Sequence, residues 1–359
     1  MQARDVMQLI VINPPSLPMP HIRRTPSMTV AFVNNTSDRA LAATEAQFLA
    51  LLQSAAAGID LQVIFYTCPN IVRAATPRTN LGRAYADMTS LFDTHIDALV
   101  VTGMEPTTPE LRDEPVWQPL TQLIDWVDHK GIPSIWSCLG AHAAVLRLDG
   151  VERTRQPSKV SDILCCEAVA ETHPLISGLP RQWWIPHSRY YGLPEAALTA
   201  NGYQVLSRTE AAGVDVFMRK GRSSFIFFQG HPEYDHDSLL KEYKRDLRRY
   251  FCGTRDEFPV APESYFGKET TLNLAQMRQQ ALQSPRHARA DGKMLDQILA
   301  IASTGVAPVR WNHVATGICA NWMTSFGPGT GRGQASARPP AEMTVGARSM
   351  STPEPMYSK

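Results

Sequence analysis

Apolar residues along this chain recur with two alternating periods. Met28–Asn34 is a short apolar run that ends in a polar loop, and Leu41–Ala57 repeats Leu and Ala at helical spacing. Ile59–Thr67 returns to strand character, Leu81–Thr94 reads as helical, and Ala98–Gly103 is a third strand closed by glycine. Pro115–Lys130 sets Trp117, Leu120, Leu123, Ile124 and Val127 on one helical stripe; Pro133–Trp136 is a fourth strand and Gly140–Leu148 a helix directly behind it. A strand–helix–strand–helix order predicts an α/β fold, a parallel sheet flanked by helices on both faces. Gly150–Tyr203 is less regular. Strand signals resume at Val214–Arg219 and Ser224–Gln229, followed by a helix over Asp237–Tyr250. Residues 253–285 read as loop plus a polar helix, with further helices near Lys293–Ala302 and Trp311–Trp322. From Phe326 the chain is Gly, Pro, Ser, Ala and scattered Arg, a composition expected to stay disordered. The predicted organisation is an N-terminal extension over 1–27, one domain over 28–325 and a tail over 326–359. No internal repeat is present.

Composition changes this picture little. A chain of 359 residues with 43% apolar and 19% charged residues can bury a substantial core. A net charge of +1 gives no reason to expect a polyanion, so nucleic acid is not a predicted partner. The one dense basic run, Lys241–Arg249, has acids interleaved and reads first as a solvated helix face. No stretch approaches the roughly 18 apolar residues a membrane span needs. The first 24 residues lack the charge and length pattern of a secretory signal. Six cysteines, at 68, 138, 165, 166, 252 and 319, show neither metal-ligand spacing nor a disulfide framework. Reduced cytoplasmic thiols are the expectation, with no metal and no bound cofactor. Cys165 and Cys166 would face opposite sides of a strand.

Two short runs carry candidate chemistry. Cys138 lies in Ile-Trp-Ser-Cys-Leu-Gly-Ala-His (135–142), between an apolar strand and a helix, and His231 opens His-Pro-Glu-Tyr-Asp (231–235) after Phe225–Phe228. A sharp turn at such a junction is a nucleophile elbow. It lifts the thiol out of the sheet and leaves the amide of Leu139 free to meet a developing oxyanion. The helix N-terminus and a nearby imidazolium favour the thiolate. His231 and Glu233 fall on one side of an extended segment, so the carboxylate can fix the imidazole tautomer. If the two strands are neighbours in a parallel sheet, Cys138, His231 and Glu233 meet at its carboxyl edge. A buried structural cysteine is the commoner fate of a lone thiol; here the elbow context and the later His-x-Glu outweigh it.

These runs resemble the MetA-type homoserine O-acyltransferases (homoserine O-succinyltransferase/O-acetyltransferase), which use the flavodoxin-like, class I glutamine amidotransferase-like fold. The resemblance runs from about Met28 to about Trp322. It is carried by Val-Val-Thr-Gly (100–103) with Asp113 and Trp117, the Cys138 elbow, Lys159-Val-Ser, Pro186-His-Ser-Arg-Tyr, Gly230-His-Pro-Glu-Tyr-Asp with Leu239, Glu242, Arg245 and Asp246, and Trp311…Asn321-Trp322. It implies ping-pong transfer from an acyl-coenzyme A through an acyl-Cys138 to the hydroxyl of L-homoserine, in methionine synthesis, with His231 as base and Glu233 as its orienter. It also implies substrate-binding roles for Lys159, Ser188 and Arg245, and a possible homodimer. Arg245 suits a bidentate grip on an α-carboxylate. Without the resemblance, all three would read as ordinary loop or helix-face residues.

Two departures stand out. His142 occupies a position where the family usually carries Gln; packing is the simpler role for it. The loop after Gly103 reads Met104-Glu105-Pro106-Thr107. In the family the residue matching Thr107 helps select the acyl group, with glycine accompanying succinyl and glutamate acetyl. Threonine lacks the carboxylate that would repel a succinyl tail, which tips the balance to succinyl, while nearby Glu105 pulls the other way. The competing readings are an O-acyltransferase for another hydroxy-amino acid such as serine, a glutamine-hydrolysing amidotransferase or γ-glutamyl hydrolase, and a non-catalytic scaffold. The amidotransferase reading does not call for Lys159, Ser188 and Arg245 together. The scaffold reading does not call for thiol, imidazole and carboxylate together.

Overall fold

A computed structural model describes residues 10–12, 28–56, 58–222, 224–284, 292–304 and 311–327. The predicted tail over 326–359 lies outside them beyond Gly327, as does most of the predicted extension over 1–27. In chain order the first elements are β1 (Ile10–Ile12), β2 (Met28–Val33), α1 (Asp38–Ala55), β3 (Leu61–Thr67), β4 (Ala86–Asp87) and β5 (Ala98–Val101). Next come α2 (Trp117–Lys130), β6 (Ser134–Ser137), α3 (Leu139–Asp149), β7 (Thr154–Ala168), β8 (Gln182–Gly192) and α4 (Glu195–Ala200). Then follow β9 (Gln204–Val205), β10 (Ser207–Thr209), β11 (Gly213–Val214), β12 (Val216–Lys220), β13 (Ser224–Phe228), α5 (Ser238–Phe251) and α6 (Lys268–Gln283). Two further helices span Lys293–Thr304 and Asn312–Thr324.

The main sheet runs β1-β3-β2-β5-β6-β13-β12-β9, with β4 beside β3. Its pairs are parallel from β1 to β13, and β12 and β9 close it antiparallel. The central strands read as continuous apolar runs because both faces are covered. On β13, Phe225 and Phe227 join the core under α2 with Trp136, Leu123 and Ile124, whereas Ile226 and Phe228 face the core shared with Phe48, Leu52 and Trp322. Helix α2 buries Leu120, Leu123, Ile124 and Val127, spaced as one helical face requires, and stops at Gly131, whose φ of 71° suits glycine.

The structure corrects two of the expected elements. Leu81–Thr94 is not a helix: it holds the two-residue β4 and a 3-10 turn over Met88–Asp93. Asp87 accepts hydrogen bonds from Thr89 N (2.8 Å) and Thr89 Oγ1 (2.8 Å), a local alternative to helical pairing. The irregular stretch after Gly150 contains two long strands. β7 and β8 pair antiparallel, and with β10 and β11 they form a second sheet, ordered β11-β10-β7-β8. Pro157, Lys159, Ser161 and Asp162 hid the alternation of β7, and its register shifts between Arg155 and Val160. Cys166 is buried within this sheet and Cys165 half-buried, on opposite faces as strand geometry requires.

Candidate active site

Strands β6 and β13 are parallel neighbours, with Ser137 opposite Phe228. The residue after β6 is Cys138, and its amide donates to the Phe228 carbonyl at 2.7 Å. Cys138 has φ 49° and ψ −114°, one of two non-glycine residues with positive φ among those described. A side chain held there costs on the order of 1–3 kcal/mol, and the surrounding structure must impose it. The imposition is visible: α3 starts at once, the Cys138 carbonyl accepts from His142 N at 3.2 Å, and Gly103 and Gly140 press against the turn. A Cβ on Gly103 would lie 3.1 Å from Cys138 Cβ, Leu139 N and Ser137 O; one on Gly140 would lie 3.2 Å from Thr102 O. Leu139 is the first residue of α3, so its amide is among the unpaired N–H groups that open a helix.

From β13 the chain continues through Gln229 and Gly230 to His231, whose amide donates to the Pro186 carbonyl on β8 at 2.7 Å. His231 Nδ1 lies 2.9 Å from Glu233 Oε1, leaving the other ring nitrogen for the sulfur. Burial disfavours the imidazolium. The charge of Glu233, together with a hydrogen bond and Coulomb attraction to the Cys138 sulfur, more than offsets it and holds the His231 pKa well above its ordinary value. Tyr234 stacks on the imidazole with ring centroids 4.3 Å apart. Sulfur, imidazole and carboxylate therefore share one edge of the sheet.

Lys159, Ser188 and Arg245 also converge, around Glu242 on α5. Lys159 Nζ is 3.1 Å from Glu242 Oε2 and 2.9 Å from Asp246 Oδ2. Ser188 Oγ and Tyr234 OH each donate to Glu242. Arg245 lies 2.9 Å from Asp246 and 3.6 Å from Glu242, and Arg255 3.5 Å from Asp246. Lys159 is buried; desolvation would lower its pKa, but Glu242 and Asp246 raise it above the usual value. Burial raises the Glu242 carboxyl, yet Lys159, Arg245, Ser188 and Tyr234 bring it down to about 2. Three cations face two carboxylates, a net charge of +1, which suits an incoming carboxylate. Tyr234 bridges this cluster to His231.

Thr107 sits on the loop that leaves β5. Its amide and hydroxyl donate to Glu114 at 2.7 Å each, and Thr108 N does so at 2.8 Å. Glu105 is drawn away to Arg249, with Nη2 to Oε2 at 3.0 Å. Glu105 and Glu114 are thus occupied by protein donors. His142 is buried and bonded to Gln229 Oε1 at 3.1 Å; burial above all, with the charges of Arg189 and Arg153, pushes its pKa down to about 3. It ties the elbow helix to the strand leading to His231, which is a packing role.

A family model described as homoserine O-succinyltransferase matches residues 19–325. The chain belongs to the homoserine O-succinyltransferase family. It is 42% identical over 296 residues to a protein of that name from Methylorubrum extorquens, covering 82% of this chain and 86% of the other. The corresponding protein of Rhodopseudomonas palustris is 39% identical over 297 residues, covering 83% and 87%. That of Bradyrhizobium japonicum is 41% identical over 261 residues, covering 72% and 80%. Among solved structures, a glutamine amidotransferase from Methylobacillus flagellatus aligns over 83% of this chain and 95% of that one, at 14% identity and a TM-score of 0.47.

Within this family frame, the sequence reasoning missed three residues of the site. Gly103 counts in the sequence as a strand end and as part of the Val-Val-Thr-Gly run, though its missing Cβ is what admits the elbow. Glu242 and Tyr234 were read as parts of a motif, not as the link between the cation cluster and the imidazole. The i,i+4 spacing of Glu242 and Asp246, which puts both on one face of α5, was the available signal.

A second buried group braces the site from behind. Asp215 accepts from Ser207 Oγ (3.1 Å), Cys166 Sγ (3.3 Å) and Gly230 N (3.2 Å), and His187 Nε2 lies 3.6 Å from it. Burial, Arg189 and His231 keep the His187 pKa well below normal, so its ring is neutral. Gly230 has no room for a side chain, since a Cβ would fall 2.6 Å from Ile185 Cγ2 and 2.7 Å from Asp215 Oδ1. This packing fixes the backbone one residue before His231.

Proposed function

We propose that this chain is a homoserine O-succinyltransferase, carrying a succinyl group from succinyl-coenzyme A to the hydroxyl of L-homoserine by way of an acyl-Cys138. The observation that carries this reading is the meeting of Cys138 with the His231–Glu233 pair across adjacent parallel strand tips, beside a polar cluster that holds Lys159, Ser188 and Arg245. The Cys138 thiolate attacks the thioester carbonyl, and the negative charge on oxygen meets the Leu139 amide. The carbon–sulfur bond to coenzyme A breaks, and the departing thiolate takes a proton from the His231 imidazolium. Neutral His231 then removes the proton of the homoserine hydroxyl as that oxygen attacks the acyl-enzyme. Collapse expels the Cys138 thiolate, releases O-succinylhomoserine and restores the thiolate–imidazolium pair. Glu233 holds the imidazole in the tautomer both steps need. Arg245 binds the amino acid's α-carboxylate, and Lys159 and Ser188 complete that site.

Succinyl is preferred over acetyl because Thr107 brings no carboxylate of its own and Glu105 and Glu114 are held by protein donors. The relatives' shared name supports the same choice. The chain works on small molecules as a biosynthetic enzyme of the cytoplasm, as one domain over 28–325, with a homodimer as its assembly. No described helix is long and apolar enough to cross a membrane. The test is intact-mass analysis after mixing with succinyl- or acetyl-coenzyme A, without and then with homoserine. A succinyl adduct on Cys138 that homoserine discharges is the expected result. No adduct with either donor, or ammonia released from glutamine alone, would overturn the reading.

A further inference from the structure

One arginine behind the elbow helix, against the loop that bears Thr107, has no assigned work. Arg153 stands in the connection between α3 and β7. Its guanidinium lies over the Tyr191 ring, 3.9 Å from the centroid, and its Nη2 donates to the Pro109 carbonyl at 2.6 Å. Arg112 and Arg147, by contrast, are paired with Glu152 and Asp125. Among the described residues no carboxylate comes within ion-pair distance of Arg153, although the side chain is half-buried. A guanidinium has five N–H donors, so one bond to Pro109 leaves most of the fork unused.

Its position makes this fork useful. Pro109 lies two residues from Thr107, on the segment that leaves β5 and folds over α3, where Met104, Leu111 and Trp117 pack on Leu139 and Leu146. Arg153 therefore fastens the loop that bears Thr107 to the ring of Tyr191, at the end of β8. Burial disfavours its charge, while Tyr191, the carboxylates of Glu110 and Glu114 and, least of all, the Cys138 sulfur favour it. A succinyl group on the Cys138 sulfur carries its free carboxylate about 5–6 Å from the sulfur when extended. It would need a cation there, and a planar fork stacked on an aromatic ring meets a carboxylate in two parallel bonds.

We propose that Arg153, seated on Tyr191, binds the distal carboxylate of the succinyl group carried by Cys138. This rests on the acyl-transfer reading above and adds to it the residue that recognises the charged end of the acyl chain. An acetyl group, which has no such end, gains nothing from Arg153.

The experiment compares single-turnover acylation of Cys138 by succinyl- and acetyl-coenzyme A, followed by rapid quench and intact-mass analysis, in the full chain and in Arg153→Met and Arg153→Lys. Succinylation is expected to slow about 100-fold in Arg153→Met and about tenfold in Arg153→Lys, with acetylation changed less than about threefold in either. Equal losses with both donors would assign Arg153 to the coenzyme A moiety or to the elbow and overturn the proposal, as would unchanged succinylation. Arg153→Lys keeps the charge, so a folding defect in Arg153→Met does not obscure the comparison. If the unaltered chain forms no adduct with either donor, the acyl-transfer reading falls and takes this proposal with it; a result confined to the variants removes this proposal alone.

Discussion

Gly103→Ala puts one methyl group against the nucleophile turn. Its Cβ would meet Cys138 Cβ, Leu139 N and Ser137 O, all at 3.1 Å, where ordinary contact begins near 3.4 Å. Two of the three atoms are backbone, and all three belong to the elbow, so the elbow must move by at least about 0.3 Å and more if contact is to be comfortable. Crowding of this kind costs about 1–3 kcal/mol of stability. The same displacement shifts the sulfur and the Leu139 amide relative to His231, and misplacement approaching 1 Å can cost about 100-fold in rate. We expect acylation of Cys138 to slow about 10- to 100-fold, with a stability loss of about 1–3 kcal/mol in urea titration. Gly267→Ala is the control. A Cβ there meets nothing within 4 Å at an ordinary φ of −67°, so only the roughly 0.5–1 kcal/mol of a weakened helix N-cap should be lost, with acylation unchanged. Acylation by Gly103→Ala within twofold of the unaltered chain, at unchanged stability, would refute the claim that this glycine is what admits the elbow.

Three further outcomes follow from the electrostatics. Glu233→Gln removes a charge that favours the His231 imidazolium, so the alkaline limb of the acylation rate profile should move to lower pH; an unmoved limb would separate Glu233 from the imidazole. His142 is held neutral down to about pH 3 in the folded chain but titrates near 6.5 once unfolded. Its contribution is therefore complete above pH 6.5 and is lost as the pH falls from 6.5 towards 3, because only the unfolded chain gains the proton. His142→Gln should flatten the fall in urea-derived stability across that window, and an identical slope in both proteins would contradict the assignment. Arg245→Lys should weaken homoserine binding more than it slows acylation by the thioester, as read from the two half-reactions separately; equal losses in both would argue against its carboxylate role.

The sequence by itself determined the parallel core of the main sheet and the meeting of Cys138, His231 and Glu233 at its edge. Apolar runs such as Phe225–Phe228 have one stable use, a strand buried on both faces, and a strand–thiol–helix junction leaves Cys138 little choice but an elbow. Spacing alone set Glu233 beside His231, because residues two apart share a side of an extended segment. It did not determine that β7 and β8 are strands, since Lys159 and Ser161 are polar residues turned inward, and a polar residue facing in looks like one facing out until its partners are known. Those partners, Glu242 and Asp246, lie more than 80 residues away, and only folding brings them within 3.1 Å of Lys159. Nor could spacing reveal the contact of Gly103 with the elbow or the unused fork of Arg153 over Tyr191. Periodicity is a property of neighbours in the chain. Close approach and charge pairing across elements belong to neighbours in space, and the tertiary structure alone decided them.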